Sequence, residues 1–272
     1  SMRTRYSTLL ALGLALGIAG CSNATPSKTA SAASSAPTPP QATVDSVETL
    51  SMEKVPEGLT QTLQANLQKA GIQAKISTIR GTELPGIFWV TFDEFPSVYA
   101  SADGKHLFQG ELVRLGAAKP VNVNDELISV DAKKALNAIP AKEEIIFKAA
   151  GTPKAAIYVF TDVDCGYCRK LHNEVGQITA KGIEVRYLAW PRSPQSVPDM
   201  ESVWCSEDRQ SALTTAKQGL PVKAAKCNNP VMQHRNIGIR LGVQGTPAIY
   251  TTEGKYLGGY IPAEELAKRL GL

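Results

Sequence analysis

Residues 155–161, Ala-Ala-Ile-Tyr-Val-Phe-Thr, run almost without a polar interruption towards Cys165-Gly166-Tyr167-Cys168. An apolar run of this kind is a central strand covered on both faces. A helix-like segment from 165 to about 180 follows, ending near Lys181-Gly182, and Ile183 to Leu188 is a second buried strand. Strand, helix and strand make a βαβ unit. The remaining C-terminal stretch reads as mostly helical from 197 to 241, a strand pair at 248–252 and 255–258 around Glu253-Gly254, and a terminal helix from Pro262 to Leu270.

A C-x-x-C where a buried strand passes into a helix carries specific chemistry. The free N–H groups and partial positive charge of a helix N-terminus stabilise a thiolate, which makes Cys165 the nucleophile. Cys168 lies one turn on along the same face and is placed to attack a mixed disulfide formed at Cys165. Gly166 and Tyr167 between them help set the poise of the couple. Asp164 puts a carboxylate next to the sulfur, which raises the thiol pKa unless solvent screens it. The reading requires a Cys165 that solvent and a foreign sulfur can reach. A purely structural bridge across two residues is geometrically awkward. Zinc wants a second closely spaced pair. The other cysteines of the body, Cys205 and Cys227, stand 22 positions apart, so no metal site is expected. These two read as a structural disulfide stapling the helical stretch; the alternative is a second redox pair. His172, His106, His234 and the three tryptophans are expected in packing or surface roles, and no cofactor is expected.

The compartment follows from the amino terminus. Arg3 and Arg5 precede the 12-residue apolar run Leu9 to Gly20, shorter than the roughly 20 residues of a spanning helix, so residues 1–20 read as a signal peptide. Ile18-Ala19-Gly20-Cys21 resembles the lipobox of bacterial lipoproteins, which makes Cys21 the expected lipidated residue. Ser, Ala, Thr and Pro fill 19 of the 23 positions from Ser22 to Val44, a composition that cannot repay ordering, so residues 21–48 read as a disordered tether. An exported chain meets an oxidising space where disulfides persist. The formal charge of +4 and 43% apolar content are those of a globular protein, excluding global disorder and a multi-span membrane protein. No basic patch or arm suggests nucleic acid.

From Pro56 to Ala70 leucines at 59, 63 and 67 mark one amphipathic helix with Gly71 beyond its end. Strands are expected at 75–79, 87–92, 97–101 and 106–115, the last two joined by a hairpin over Asp103-Gly104. Asn124 is the expected N-cap of a connecting helix that Pro140 stops. Residues 49–115 therefore read as a helix against an antiparallel sheet, 116–143 as a linker helix region, and 144–272 as a second domain.

Phe160-Thr161-Asp162 before the C-x-x-C, then Lys170-Leu171-His172, Tyr187-Leu188-Ala189 before Pro191-Arg192, and Leu241-Gly242-Val243 before Gly245-Thr246-Pro247-Ala248 together resemble the DsbC family of periplasmic disulfide isomerases. Asp103-Gly104-Lys105-His106 with Gln109-Gly110 looks like that family's hairpin. The resemblance covers about residues 49–272. It implies a V-shaped homodimer, with a cystatin-like amino-terminal dimerisation domain, a linker helix, and a thioredoxin fold with a helical insertion: an α+β unit followed by an α/β one. It implies that Thr246-Pro247 is a cis-proline loop pairing with substrate, and that the insertion carries a disulfide, matching Cys205 and Cys227. The implied activity is isomerisation or reduction of non-native disulfides in misfolded exported proteins, with the membrane reductase DsbD as electron donor. A thiol oxidase, a DsbG-like reductase of single oxidised cysteines, and a holdase chaperone are the rival readings. The expected location is the periplasm, with membrane contact only through a lipid on Cys21.

Overall fold

The computed structural model describes residues 52–272. The predicted signal segment, the tether and Cys21 lie outside them. Leu59, Leu63 and Leu67, one turn apart, are all buried on α1 (Leu59–Lys69). Leu63 and Leu67 pack with Ala74, in the loop after the helix, and with Val90, Phe92 and Ala100 of an antiparallel sheet. That sheet runs β1 (Ile76–Gly81), β2 (Ile87–Phe92), β3 (Val98–Ser101) and β4 (Leu107–Phe108) in sequential order.

The expected strand 106–115 is two pieces. After β4 the chain leaves the sheet, and β5 (Val113–Arg114) pairs instead with β6 (Val121–Asn122). Asn124 explains the break. Its side chain takes Tyr99 Oη–H and Leu112 N–H (3.0 Å) as donors and gives a hydrogen bond to Gly110 O (2.7 Å). It therefore pins the connecting loop and is not the N-cap; the N-cap of α2 (Val123–Asn137) is Asn122, whose side chain makes no capping bond.

Helix α2 changes partners along its length. Val123 and Leu127 pack with Trp89 and Tyr99, while Ala132 and Leu136 pack with Tyr158, Phe160 and Tyr250. The second sheet has the order β11-β10-β8-β9-β7, from β7 (Ile145–Phe147), β8 (Ala155–Thr161), β9 (Ile183–Ala189), β10 (Ala248–Thr251) and β11 (Tyr256–Gly258). Only β8 and β9 are parallel. The helix between them is divided into α3 (Gly166–Asn173) and α4 (Val175–Ala180). Glu174 sits at the break, where its carboxylate accepts from Ala263 N–H (3.1 Å) and Tyr260 Oη–H. A residue engaged across the fold thus interrupts what local periodicity predicts as one helix. The helical stretch is α5 (Val197–Trp204), α6 (Arg209–Lys217) and α7 (Val231–Arg240), and α8 (Ala263–Arg269) closes the chain.

Candidate active site

Cys165 occupies the N-cap of α3, in extended backbone conformation, and its sulfur accepts Cys168 N–H at 3.2 Å. The sulfur thus takes the place of the usual cap oxygen and satisfies a free helix N–H. The first turn of α3 carries no acidic residue. The positive helix end therefore acts on the sulfur without a carboxylate inside the helix to oppose it. Asp164, one residue before, is exposed to screening solvent.

Cys165 is bonded to Cys168, with their Cα atoms 5.2 Å apart. The expected open nucleophile is not met in this disulfide-bonded state, in which Cys165 is 3% exposed and Cys168 1%; the requirement falls on the dithiol form, which is the one that attacks. Thr246 supplies the cover, with its carbonyl oxygen and its Oγ1 each 3.4 Å from the Cys165 sulfur. Thr246 Oγ1–H and Cys168 N–H are both directed at this sulfur as donors, an arrangement that would stabilise a thiolate there. The Thr246–Pro247 peptide bond is cis. The open flank is Gly166-Tyr167: Tyr167 is 64% exposed, and a Cβ built on Gly166 would meet nothing within 4 Å.

Beside this flank lies a cavity of about 720 Å³ whose walls include Tyr167, Thr246, Pro247, Tyr256, Tyr260 and, from α2, Ile128. Asp125 and Lys255 are its charged lining residues. Its rings and prolyl face suit an apolar polypeptide segment. A second cavity of about 500 Å³ shares Leu241–Gln244 with it and reaches Trp89 and Tyr99.

Behind the pair, His172 is buried between Tyr187 Oη (2.8 Å from Nδ1) and Thr214 Oγ1 (2.9 Å from Nε2). His234 accepts Ala189 N–H through Nδ1 at 3.1 Å and packs edge-on to Trp204. Burial, assisted by nearby Lys217 for His172 and Arg209 for His234, lowers both imidazoles to about 4. Burial raises the Glu144 carboxyl to about 7, against the attraction of Arg186. Between pH 6.5 and 4.5 each histidine gains a proton only on unfolding, while Glu144 releases one. Unfolding therefore takes up nearly one proton net, and stability falls as the pH falls. The expected loss over that interval is about 2 kcal/mol, measured as a shift of the urea midpoint. A midpoint that stays level or rises on acidification contradicts it.

Cys205 and Cys227 are bonded to each other, Cα atoms 5.6 Å apart. Cys205 is the C-cap of α5, where the helix dipole opposes a thiolate. Closing a loop of this length contributes about 3 kcal/mol. Among the described residues no group of three His, Cys, Asp or Glu side chains stands where it could hold a metal ion, and no helix is long and apolar enough to cross a membrane. Sequence reasoning missed Lys217. This residue is 3% exposed, and its ammonium donates to Thr161 Oγ1 and to Asp162 O (2.9 Å). A lysine in a helix's last turn ordinarily reads as solvated, so nothing in the pattern pointed to it.

A five-stranded mixed sheet, a C-x-x-C disulfide capping the helix after its central strand, and a cis-proline loop against the sulfur define a thioredoxin-fold thiol-disulfide oxidoreductase. The family described as the disulfide bond isomerase protein N-terminal domain matches residues 28–124, and a thioredoxin-like domain family matches 141–272. The chain is 36% identical over 228 residues to the thiol:disulfide interchange protein DsbC of Dickeya dadantii, covering 83% of this chain and 92% of that one. Against DsbC of Salmonella typhimurium it is 39% identical over 207 residues, covering 75% and 84%. A disulfide interchange protein from Neisseria gonorrhoeae superposes with a TM-score of 0.43 at 28% identity, over 48% of this chain and 97% of that one. The chain belongs to the DsbC family, and thiol:disulfide interchange is its reaction.

Proposed function

We propose that the chain is a periplasmic disulfide isomerase acting on misfolded exported proteins, with Cys165 as nucleophile and Cys168 as resolving thiol. The observation that carries this reading is the Cys165 sulfur at the helix N-cap, accepting Cys168 N–H beside Thr246. The Cys165 thiolate attacks a substrate S–S bond, forming a mixed disulfide and releasing a substrate thiolate. If a substrate thiolate then displaces Cys165, the substrate is isomerised with no net electron transfer. If Cys168 displaces the substrate sulfur, the substrate gains two electrons and Cys165–Cys168 is left oxidised. A donor must then return two electrons, and DsbD is the proposed one. Thr246 and Pro247 would align the substrate segment, with Gly166 and Tyr167 on its approach.

A homodimer is supported by the amino-terminal family match and by Leu107, Phe108, Val113 and Leu115, which leave apolar side chains exposed along β4, β5 and the turn after them. Sheet edges with exposed apolar residues favour pairing with another chain. A lipid on Cys21 would tether the dimer to a membrane. The test is reactivation of a scrambled multi-disulfide protein by the reduced chain, expected to fall to the level of buffer alone in Cys165→Ala. Full reactivation by that variant would leave a holdase and remove the isomerase.

A further inference from the structure

The three residues before Cys165 offer three successive carbonyls, and each accepts a hydrogen bond from a different cation. Lys217 Nζ of α6 donates to Asp162 O at 2.9 Å, Arg169 Nη2 of α3 to Val163 O at 3.4 Å, and Arg192 Nη2 to Asp164 O. Asp162, 1% exposed, is the buried carboxylate of the group. It accepts from Arg192 N–H (2.9 Å), Arg192 Nε–H (3.1 Å) and Ser196 Oγ–H (3.4 Å). Three cations thus face two carboxylates, and one of these, Asp164, is exposed to solvent. Few loops need such an arrangement for stability, because burying an ammonium costs free energy that a neutral donor avoids.

We propose that Lys217, Arg169 and Arg192 are positioning residues that hold the loop 162–164 and bias the Cys165–Cys168 couple towards its dithiol form by favouring a thiolate at Cys165. The inference rests on the exchange chemistry proposed above. Reduction by glutathione consumes two glutathione thiols and yields one glutathione disulfide; the two electrons pass to the Cys165–Cys168 bond, and ionisation of the Cys165 thiol releases a proton. A fixed positive field stabilises that ionised product and no charge of the oxidised state, so it shifts the equilibrium in one direction.

The groups that face the Lys217 ammonium are Asp162 on the loop, Arg169 and His172 on α3, Arg192 after β9 and the ring of Tyr187 on β9. Burial lowers Lys217 to about 7, so its part of the field is present below neutrality and fades as the pH rises.

The test is the redox equilibrium with glutathione, together with a thiolate-absorbance titration, on the full chain. Lys217→Met and Arg192→Met are each expected to move the equilibrium towards the disulfide, and the Cys165 titration upward, by about tenfold, the effect of one pKa unit. Arg169→Met, which removes the longest of the three bonds, is expected to do so less. The gap between wild type and Lys217→Met is expected to be largest between the Cys165 titration and pH 7, where the thiolate and the ammonium are both charged, and to close above pH 7, while Arg192→Lys, which keeps the charge, recovers most of the wild-type equilibrium. Variants with lowered melting temperatures but wild-type equilibrium and titration would overturn the proposal. Should Lys217→Met not fold, Arg169→Met and Arg192→Lys decide the question. Wild type unable to exchange with glutathione would instead sink the exchange chemistry itself.

Discussion

Cys168→Ala is expected to turn the chain into a trap, in which mixed disulfides through Cys165 accumulate and release of a substrate without a free thiol slows by at least about a thousandfold. The reason is proximity. Cys168 sits one turn beyond Cys165, its Cα 5.2 Å away, whereas an external thiol must approach from solvent a residue that is 3% exposed in the disulfide state. An intramolecular thiol in reacting geometry acts as though present at a concentration no free thiol attains. Isomerisation driven by the substrate's own thiols does not use Cys168 and is expected to survive in part. The covalent adduct, followed by mass spectrometry after mixing with scrambled substrate, measures this; release at the wild-type rate would show that Cys168 does not resolve.

Gly254→Val is the substitution with the largest expected structural cost. Gly254 has φ +83°, and a Cβ there would lie 2.1 Å from Ser129 O and 2.5 Å from Lys133 N, both backbone atoms of α2. The β10–β11 turn is tied to that helix by Lys133 to Glu253 (2.7 Å), Asn137 to Thr252 O (3.0 Å) and Ser129 to Glu253 O (3.3 Å). A side chain both strains the backbone and forces the turn off the helix, for a loss of about 3 kcal/mol or more. The same positive φ at Gly86 has open space around the missing Cβ, so Gly86→Ala is expected to cost only about 1 kcal/mol. Urea denaturation compares the two. Because Gly254 also lines the cavity beside Tyr167, Gly254→Val is expected to lose activity on protein disulfides while still exchanging with a small one. Equal losses for both glycines would show that the turn does not need its close contact with α2.

Much of this was legible in the chain. The leucine spacing at 59, 63 and 67 and the apolar runs 155–161 and 183–188 depend only on period and burial, and the elements fall there. The missed features share one cause: side chains bonded far along the chain. Asn124 holds the 110–112 loop, Glu174 caps a distant helix, and Lys217 reaches the loop before the cysteines. Periodicity sees neighbours within a few residues; it sees none of these.

On its own, the order of residues determined a strand–Cys-x-x-Cys–helix unit, because a helix start and a one-turn spacing are local properties. Only the assembled fold decided how reachable Cys165 is and which charges surround it. Thr246, Lys217 and Arg192 lie between 27 and 81 positions away, and packing alone brings them to that sulfur and to the loop before it.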